Sequence, residues 1–412
     1  MIKILDNYYK SINKEDYEFI ERKWIWHPDT LSDLIAEIFV INYSNYTKSK
    51  YWYIPNHWVD KVLLSGAKSE VKFWDYKIIK PIRCYLFWKV TQRIENEDIP
   101  IYSIFKDSVF QVFTKIFKNL DILNYIDLIV DVNDWIWAGR PKNWYQPKNT
   151  QEVQDSNNKL RSNDSVICSA YSPLSWLEKI VIFLENYINW FKFKNNFPFT
   201  GYDVKVLANR ILNDIDITVC IPFLAKLTPN KEFYYKNIEI INKDLKNQLE
   251  NYLKLNDLNF SVNNIFINNR DEWDIVYMVP FWSALDTWDY GVVGRWNKYN
   301  WIISIVRESN IEAFSWKNPI YHGWKLFNYI AWKISEEIYL QLWYENYVNI
   351  VAKVWDNINN PHEVLVKIVW DIKDNTNTVN EIVNINLKSI THIHEWLLNY
   401  NPILRFNPNL YE

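Results

Sequence analysis

Only six glycines punctuate a chain of 412 residues. A chain of that length normally needs far more, because glycine supplies the turns with φ > 0 and lets backbone approach a ligand. Ordinary usage of about 7% predicts roughly 29. Tryptophan, by contrast, occurs 23 times, so the two residue types together match the expected number of glycines. Two readings compete. Either the chain carries an aromatic-rich binding surface, or a codon meaning glycine is written as tryptophan. UGA has both meanings among known genetic codes, so the second reading has a mechanism. Position decides between them, since glycine and tryptophan make opposite demands on the backbone.

The remaining composition excludes several classes. Hydrophobic residues make up 49% and charged residues 23%, which is ordinary for a globular chain and rules out wholesale disorder. A net charge of −3 and a pI near 6.1 give no electrostatic case for nucleic acid or an acidic membrane surface. No stretch approaches the ~20 apolar residues of a membrane span, and the N-terminus lacks a signal-peptide pattern. Cys84, Cys168 and Cys220 are far apart, so they form neither a disulfide framework nor a metal knuckle. A reducing, cytoplasmic location is the expectation.

No Gly/Ser/Pro-rich linker divides the chain, so residues 1–412 are expected to form one unit. Periodicity predicts helices from Asp29, over Asp107–Leu120, Pro173–Phe193, Lys231–Leu255, Asn318–Glu345 and Thr378–Tyr400. Strands are expected at Ile126–Val132, Ile215–Ile221, Phe260–Ile267, Val348–Val354 and Glu363–Val369. The polar stretch Asn143–Asp164 reads as a loop. Strands and helices mix without regular βαβ alternation, so the fold class is α+β, with several mixed sheets each backed by helices. His392 and His394, with no cysteine nearby, read as structural or surface residues.

Three segments put tryptophan where a loop needs small residues. Glu21-Arg22-Lys23-Trp24-Ile25-Trp26-His27-Pro28-Asp29 precedes the first helix. Asp134-Trp135-Ile136-Trp137-Ala138-Gly139-Arg140 follows a strand. Trp288-Asp289-Tyr290-Gly291 runs through Gly294-Arg295-Trp296-Asn297 to Asn300-Trp301 and Ser315-Trp316-Lys317-Asn318-Pro319. With glycine at those tryptophans, the chain resembles the archaeal-type S-adenosylmethionine synthetases over nearly its whole length. Asn163-Asp164-Ser165 with Tyr171-Ser172-Pro173-Leu174-Ser175 is similar to a further family segment, and His322, Trp324, Lys325 and Asn328 extend the match. Trp24, Trp26, Trp74, Trp88, Trp135, Trp137, Trp282, Trp288, Trp296, Trp301, Trp316, Trp324 and Trp355 fall where the family carries glycine. Trp396 falls where the family often has a true tryptophan. The abundant Asn, Ile, Lys and Tyr suit an AT-rich gene.

The resemblance implies a three-subdomain fold and methionine adenosyltransfer. ATP and L-methionine are then the substrates, Mg²⁺ the cofactor with K⁺ a second candidate cation, and a homodimer the assembly. It implies His27 at the oxygen leaving C5′, Asp29 as a magnesium ligand, and Arg295, Lys317 and Lys325 around the triphosphate. Trp135, Ile136, Trp137, Ala138, Gly139 and Arg140 occupy the nucleotide loop, with Asp164 as a further nucleotide contact. Asp289 contacts either methionine or metal. Lys23 and Asp60 are secondary candidates. Read without the resemblance, His27 and Asp29 are also good residues to cap the helix they precede. Tyr290 stands where the family has a second aspartate and Lys61 where it has glutamine, while Ile167-Cys168-Ser169-Ala170 lacks the family's glycines. The alternative function is a non-catalytic homologue acting as a scaffold or partner subunit. An aromatic-rich binder of sugars or single-stranded nucleic acid would need exposed tryptophan beside basic residues. Taken literally, the tryptophans should leave the overall fold intact but open the glycine turns and crowd the triphosphate channel.

Overall fold

A computed structural model describes residues 1–412 apart from 9, 115–123, 137–138, 140–142, 295–299, 314–316, 401 and 403–412. The chain opens with β1 (Ile2–Leu5), β2 (Tyr17–Lys23) and α1 (Pro28–Tyr51). Next come β3 (His57–Ser65), the hairpin β4 (Lys68–Lys72) and β5 (Asp75–Lys80), and β6 (Ile82–Val90). A short pair, β7 (Arg93–Ile94) and β8 (Glu97–Asp98), leads to α2 (Ile101–Thr114) and β9 (Ile126–Asn133). The middle holds α3 (Thr150–Asn158), β10 (Val166–Ser172), α4 (Trp176–Asn189) and α5 (Phe191–Asn196). It continues with β11 (Lys205–Ile211), β12 (Asp214–Cys220), β13 (Phe223–Leu224) and α6 (Lys231–Leu255). Then follow β14 (Ser261–Ile267), β15 (Met278–Val279), β16 (Tyr290–Val292) and β17 (Ile303–Ser304). The last elements are α7 (Gly323–Leu342), β18 (Asn346–Ala352), β19 (Glu363–Ile368) and α8 (Thr376–Asn399).

Among the described residues, three sheets carry the architecture, with orders β1-β19-β18-β10, β14-β12-β11-β2-β17 and β16-β3-β6-β9. Each recruits strands from distant parts of the chain. Ile2 pairs with Val364, Lys23 with Lys205, and Val292 with Leu63. Helices back the sheets: α7 lies on β10 and β18, α4 on β2 and β11, and α1 on β3 and β16. The expected mixed α+β class is what the structure has. Alternation does the local work in β12, where Ile215, Ile217 and Val219 are buried and Asp214 is exposed.

Several boundaries differ from the sequence reading, each for a local reason. The second helix begins at Ile101, because the Pro100 carbonyl accepts from the Ile104 N–H at 3.0 Å and opens the first turn. The 143–164 stretch is not all loop. Asn149 caps α3 by accepting from the Glu152 N–H at 3.0 Å. The long helix read over 173–193 starts at Trp176, after Ser175, whose capping box with Glu178 fixes α4, and it breaks where Trp190 turns extended. The helix read over 318–345 spans Gly323–Leu342 and is stopped by Trp343, a left-handed residue with φ 58°.

Left-handed backbone is where the tryptophans stand out. Among the described non-glycine residues thirteen have φ > 0, and seven are tryptophan: Trp52, Trp74, Trp88, Trp273, Trp301, Trp343 and Trp355. For a bulky side chain this conformation is a genuine outlier. Trp52 and Trp343 occupy the position just past α1 and α7, where helices commonly place glycine. The expectation that Trp24 and Trp26 would open their turn is not met. Both are core residues, exposed by 0% and 2%, and the His27 N–H still reaches the Trp24 carbonyl at 3.0 Å. Their backbones need no positive φ, so the indoles find room in the interior.

Candidate active site

The site is organised by the start of α1. β2 ends at Lys23, the chain turns through Trp24–Trp26, and His27 caps the helix: its Nδ1 accepts from the Asp29 N–H at 3.3 Å. With Nδ1 accepting, a neutral ring carries its proton on Nε2. Pro28 at the first helical position sets the entry. Capping and chemistry are therefore compatible roles for one imidazole. His27 also forms part of the wall of a cavity of about 670 Å³, together with Asp203, Lys205, Tyr277, Trp288 and Asp289.

Asp29 is nearly buried and bridges two segments. Its Oδ2 takes the Lys23 ammonium at 3.1 Å and its Oδ1 accepts the Val292 N–H at 3.2 Å. One helical turn on, Asp33 accepts the Gly294 N–H at 2.8 Å. Gly291 packs so tightly on this helix start that a Cβ there would lie 2.0 Å from the Pro28 carbonyl oxygen. Gly294 sits at φ +120°, which glycine alone tolerates well. Segment 291–294 is thus fitted along the first two turns of α1, with His27 at one end.

The cavity's charges are mixed. Lys205 on β11 lies beside Lys23 on β2, and both approach Glu21, at 3.5 and 3.8 Å. Burial pushes the Asp203 carboxyl up to about 7, and the charge of Asp289 adds to the rise. Burial likewise raises Asp289, with Asp29 contributing and the Tyr290 N–H opposing. Asp203, Lys205, Tyr277 and the neighbouring Arg270 and Asp271 escaped the sequence reading. A signal was available: Asp203 and Lys205 closely follow Gly201, one of only six glycines.

The other sequence candidates fall into separate places. Lys317 is buried, ion-paired to Glu312 at 2.7 Å and bridged to Trp58. Lys325 is interior to α7, with its ammonium 2.5 Å from Glu37 of α1. Burial lowers its pKa and Glu37 opposes that. Asp164 accepts from the Trp324 indole N–H at 3.3 Å and the Ser165 N–H at 2.8 Å. Trp135 and Ile136 leave the end of β9, where Lys89 binds the Trp135 carbonyl at 2.6 Å and Asn133 at 2.5 Å. Gly139 is exposed, at φ +82°. None of these lines the cavity that holds His27. Trp137, Ala138, Arg140, Arg295, Trp296 and Trp316 lie outside the described residues, as does the side chain of Asp60. Trp288 stands on the wall of the cavity that holds His27.

Among the described residues no group of three His, Cys, Asp or Glu side chains could cage a metal. Asp29 and Asp289 are carboxylates near enough to influence each other's charge, although the Asp29 oxygens are engaged by Lys23 and Val292. Carboxylate oxygen is the donor type that suits Mg²⁺, which keeps few protein ligands and fills its shell with water and substrate phosphate.

The family profile for S-adenosylmethionine synthetase (AdoMet synthetase) matches residues 1–401. An S-adenosylmethionine synthase of Thermoplasma volcanium is 29% identical over 391 residues, covering 92% of this chain and 93% of that protein. An uncharacterized protein of Streptococcus pyogenes serotype M3 is 30% identical over 350 residues, 82% of each chain. The solved structure of an unusual S-adenosylmethionine synthetase from Campylobacter jejuni superposes with a TM-score of 0.55 at 13% identity, covering 92% of this chain and 90% of that one, which shows a shared fold. The chain belongs to the S-adenosylmethionine synthetase family.

Proposed function

We propose that this chain is a methionine adenosyltransferase acting on ATP and L-methionine. The methionine sulfur attacks C5′ of ATP, the S–C5′ bond forms, and the C5′–O bond breaks with its electron pair leaving on the triphosphate. Water then cleaves the triphosphate to phosphate and diphosphate. The observation that carries the reading is His27, held by the α1 start and facing a cavity that also contains Lys205 and Asp289. Its Nε2–H is suited to donate to the oxygen leaving C5′, where negative charge develops. Lys205 and Lys23 add positive charge beside that position. Mg²⁺, held by Asp29 and Asp289, would supply charge neutralisation to the polyphosphate.

A homodimer is part of this proposal. Val292, Leu63, Tyr85 and Ile129 form one row across β16, β3, β6 and β9, and all four are at least partly exposed. Tyr85 and Phe87 stack at 5.5 Å on the same face. An open aromatic sheet face of this kind suits a second copy of the chain. Sharing between copies also accounts for Trp135 and Lys317 lying off the cavity wall of their own chain. Glycine in place of many written tryptophans is the remaining part, supported by their concentration at left-handed positions.

The test is direct. The chain with glycine at the family-matched tryptophans, given ATP, L-methionine and Mg²⁺, should yield S-adenosylmethionine, phosphate and diphosphate, whereas the chain with those tryptophans as written should make none. His27→Asn should lower adenosyl transfer by about 10²–10³-fold, the scale of one lost transition-state donor. Hydrolysis of added triphosphate should fall less, because it does not involve the C5′ oxygen. Absence of product from the glycine-bearing chain would favour the non-catalytic homologue. Intact mass of the protein from its own cells reports each glycine-for-tryptophan exchange as the loss of an indole side chain.

A further inference from the structure

Asp286 stands off the wall of the cavity that holds His27, yet it grips the segment that supplies Ala284, Trp288 and Asp289 to that wall. It closes a single 3₁₀ turn, Ala284–Asp286, and is fully buried. Burying a carboxyl group costs free energy that an apolar side chain of similar size would avoid. Its Oδ2 accepts three consecutive backbone N–H groups, from Phe281, Trp282 and Ser283, at 3.2, 2.7 and 3.0 Å. Successive N–H groups curved round one oxygen form the kind of nest that binds free anions. Here the chain fills the nest with its own side chain. All three donors are backbone groups, so glycine in place of Trp282 keeps them.

The next run of donors follows from this turn. The Ala284 carbonyl accepts the N–H groups of Thr287, Trp288 and Asp289 at 3.1, 3.0 and 3.0 Å. The Leu285 carbonyl accepts the Ala67 N–H at 2.8 Å, which ties the turn to the chain just past β3. Gly66 lies so close behind that a Cβ there would be 2.3 Å from the Asp289 carbonyl oxygen. Asp289 is thus set by the turn on one side and backed by Gly66 on the other, with its half-buried side chain at the cavity.

We infer that Asp286 is a positioning residue: by holding residues 281–283 it fixes the turn from which Asp289 is presented to the cavity. The inference rests on the adenosyltransferase reading, in which Asp289 meets methionine or metal. Three bonds converging on one oxygen set direction as well as distance, which a merely apolar plug does not. One acceptor oxygen at the right reach is what the role needs. Asparagine supplies it. Leucine has similar bulk without an acceptor, and alanine has neither.

The experiment compares Asp286→Asn and Asp286→Leu in the full chain with glycine at the family-matched tryptophans, with and without Asp289→Asn. Hydrogen exchange followed by mass spectrometry reads the backbone directly. In Asp286→Leu the peptide covering 284–290 should exchange at least about 10-fold faster while α6 is unchanged, and Asp286→Asn should stay within about threefold of the parent. Asp286→Leu should also lower kcat/KM for methionine about 10- to 100-fold, with Asp286→Asn again within about threefold. In the Asp289→Asn background, Asp286→Leu should cost less than a further threefold, because the group it positions is already altered. If Asp286→Leu does not fold, Asp286→Ala takes its place throughout. Faster exchange spread equally over α6, or costs that multiply with Asp289→Asn, would make Asp286 merely structural. Unchanged exchange at 284–290, or equal loss in Asp286→Asn and Asp286→Leu, would likewise overturn the proposal. A glycine-bearing parent that makes no S-adenosylmethionine is a different result: it defeats the function, and the exchange measurement still decides whether Asp286 sets Asp289.

Discussion

Replacing Trp52, Trp273 and Trp343 by glycine should stabilise the protein. The three have φ values of 68°, 53° and 58°, and their exposures are 82%, 83% and 73%. An L-residue in left-handed backbone costs roughly 1–2 kcal/mol. Glycine removes that cost but gives the unfolded chain about 0.4–1 kcal/mol of extra freedom. Rings this exposed lose little packing on removal, so each site nets about 0.5–1 kcal/mol. The sites lie past α1, in the turn between Glu272 and Ile275, and past α7, and share no partner among their backbone bonds. Their gains should therefore add, to about 1.5–3 kcal/mol. Urea unfolding of the literal chain and the triple variant, followed by circular dichroism, should show a higher midpoint at unchanged slope. The matching triple alanine variant is the control, since it removes the indoles but keeps a Cβ at positive φ. Alanine should gain little. If alanine stabilises as much as glycine, or glycine lowers the midpoint, the backbone argument is wrong.

Asp203 provides a pH test. Its native pKa, pushed up to about 7 from 3.8, means that between those values the folded protein holds a proton the unfolded chain has released. Stability should then fall as pH rises through that window, by about 4 kcal/mol for this group, and Asp203→Asn should remove that part of the slope. Urea midpoints from pH 4 to 8 that decline equally in both proteins would refute it. Tyr85→Asp sets a charge in the open row between Leu63 and Ile129 and should weaken dimerisation at least 100-fold, read by sedimentation. A Tyr85→Asp protein that remains dimeric at nanomolar concentration would place the interface elsewhere.

The parts of the fold that were legible in sequence are those where hydrophobic periodicity coincides with burial. α6 spans Lys231–Leu255 as read, and β12 follows its alternating isoleucines. β2 was not legible because its inward positions are Glu18, Ile20 and Arg22, two of them charged. Those charges are paid for by partners from elsewhere, Glu185 for Arg22 and Ser175 for Glu18, which no local pattern reveals. The resemblance singled out His27 and Asp29, and the structure places both at the start of α1, where His27 caps the helix and lines the cavity. Lys205 was not legible, because it reaches the cavity through the pairing of β11 with β2, and neither was Asp203, which lies two residues before that strand. Lys325 shows the converse. Its segment pointed to phosphate, yet its charge is taken up by a carboxylate that only tertiary packing brings near.

The pairing of strands far apart in the chain sets a condition on synthesis. β1 leaves the ribosome first but waits for β19, some 360 residues later, before its partner exists. β2 waits for β11, and β3 is not flanked on its outer side until β16 has been made. A nascent chain therefore spends most of its translation with open strand edges, the state most prone to aggregation. Termination anywhere before Asn346 leaves the β1 sheet without both of its central strands. In a host that reads UGA as stop, a gene using that codon at Trp24 would yield a fragment that ends before α1 begins.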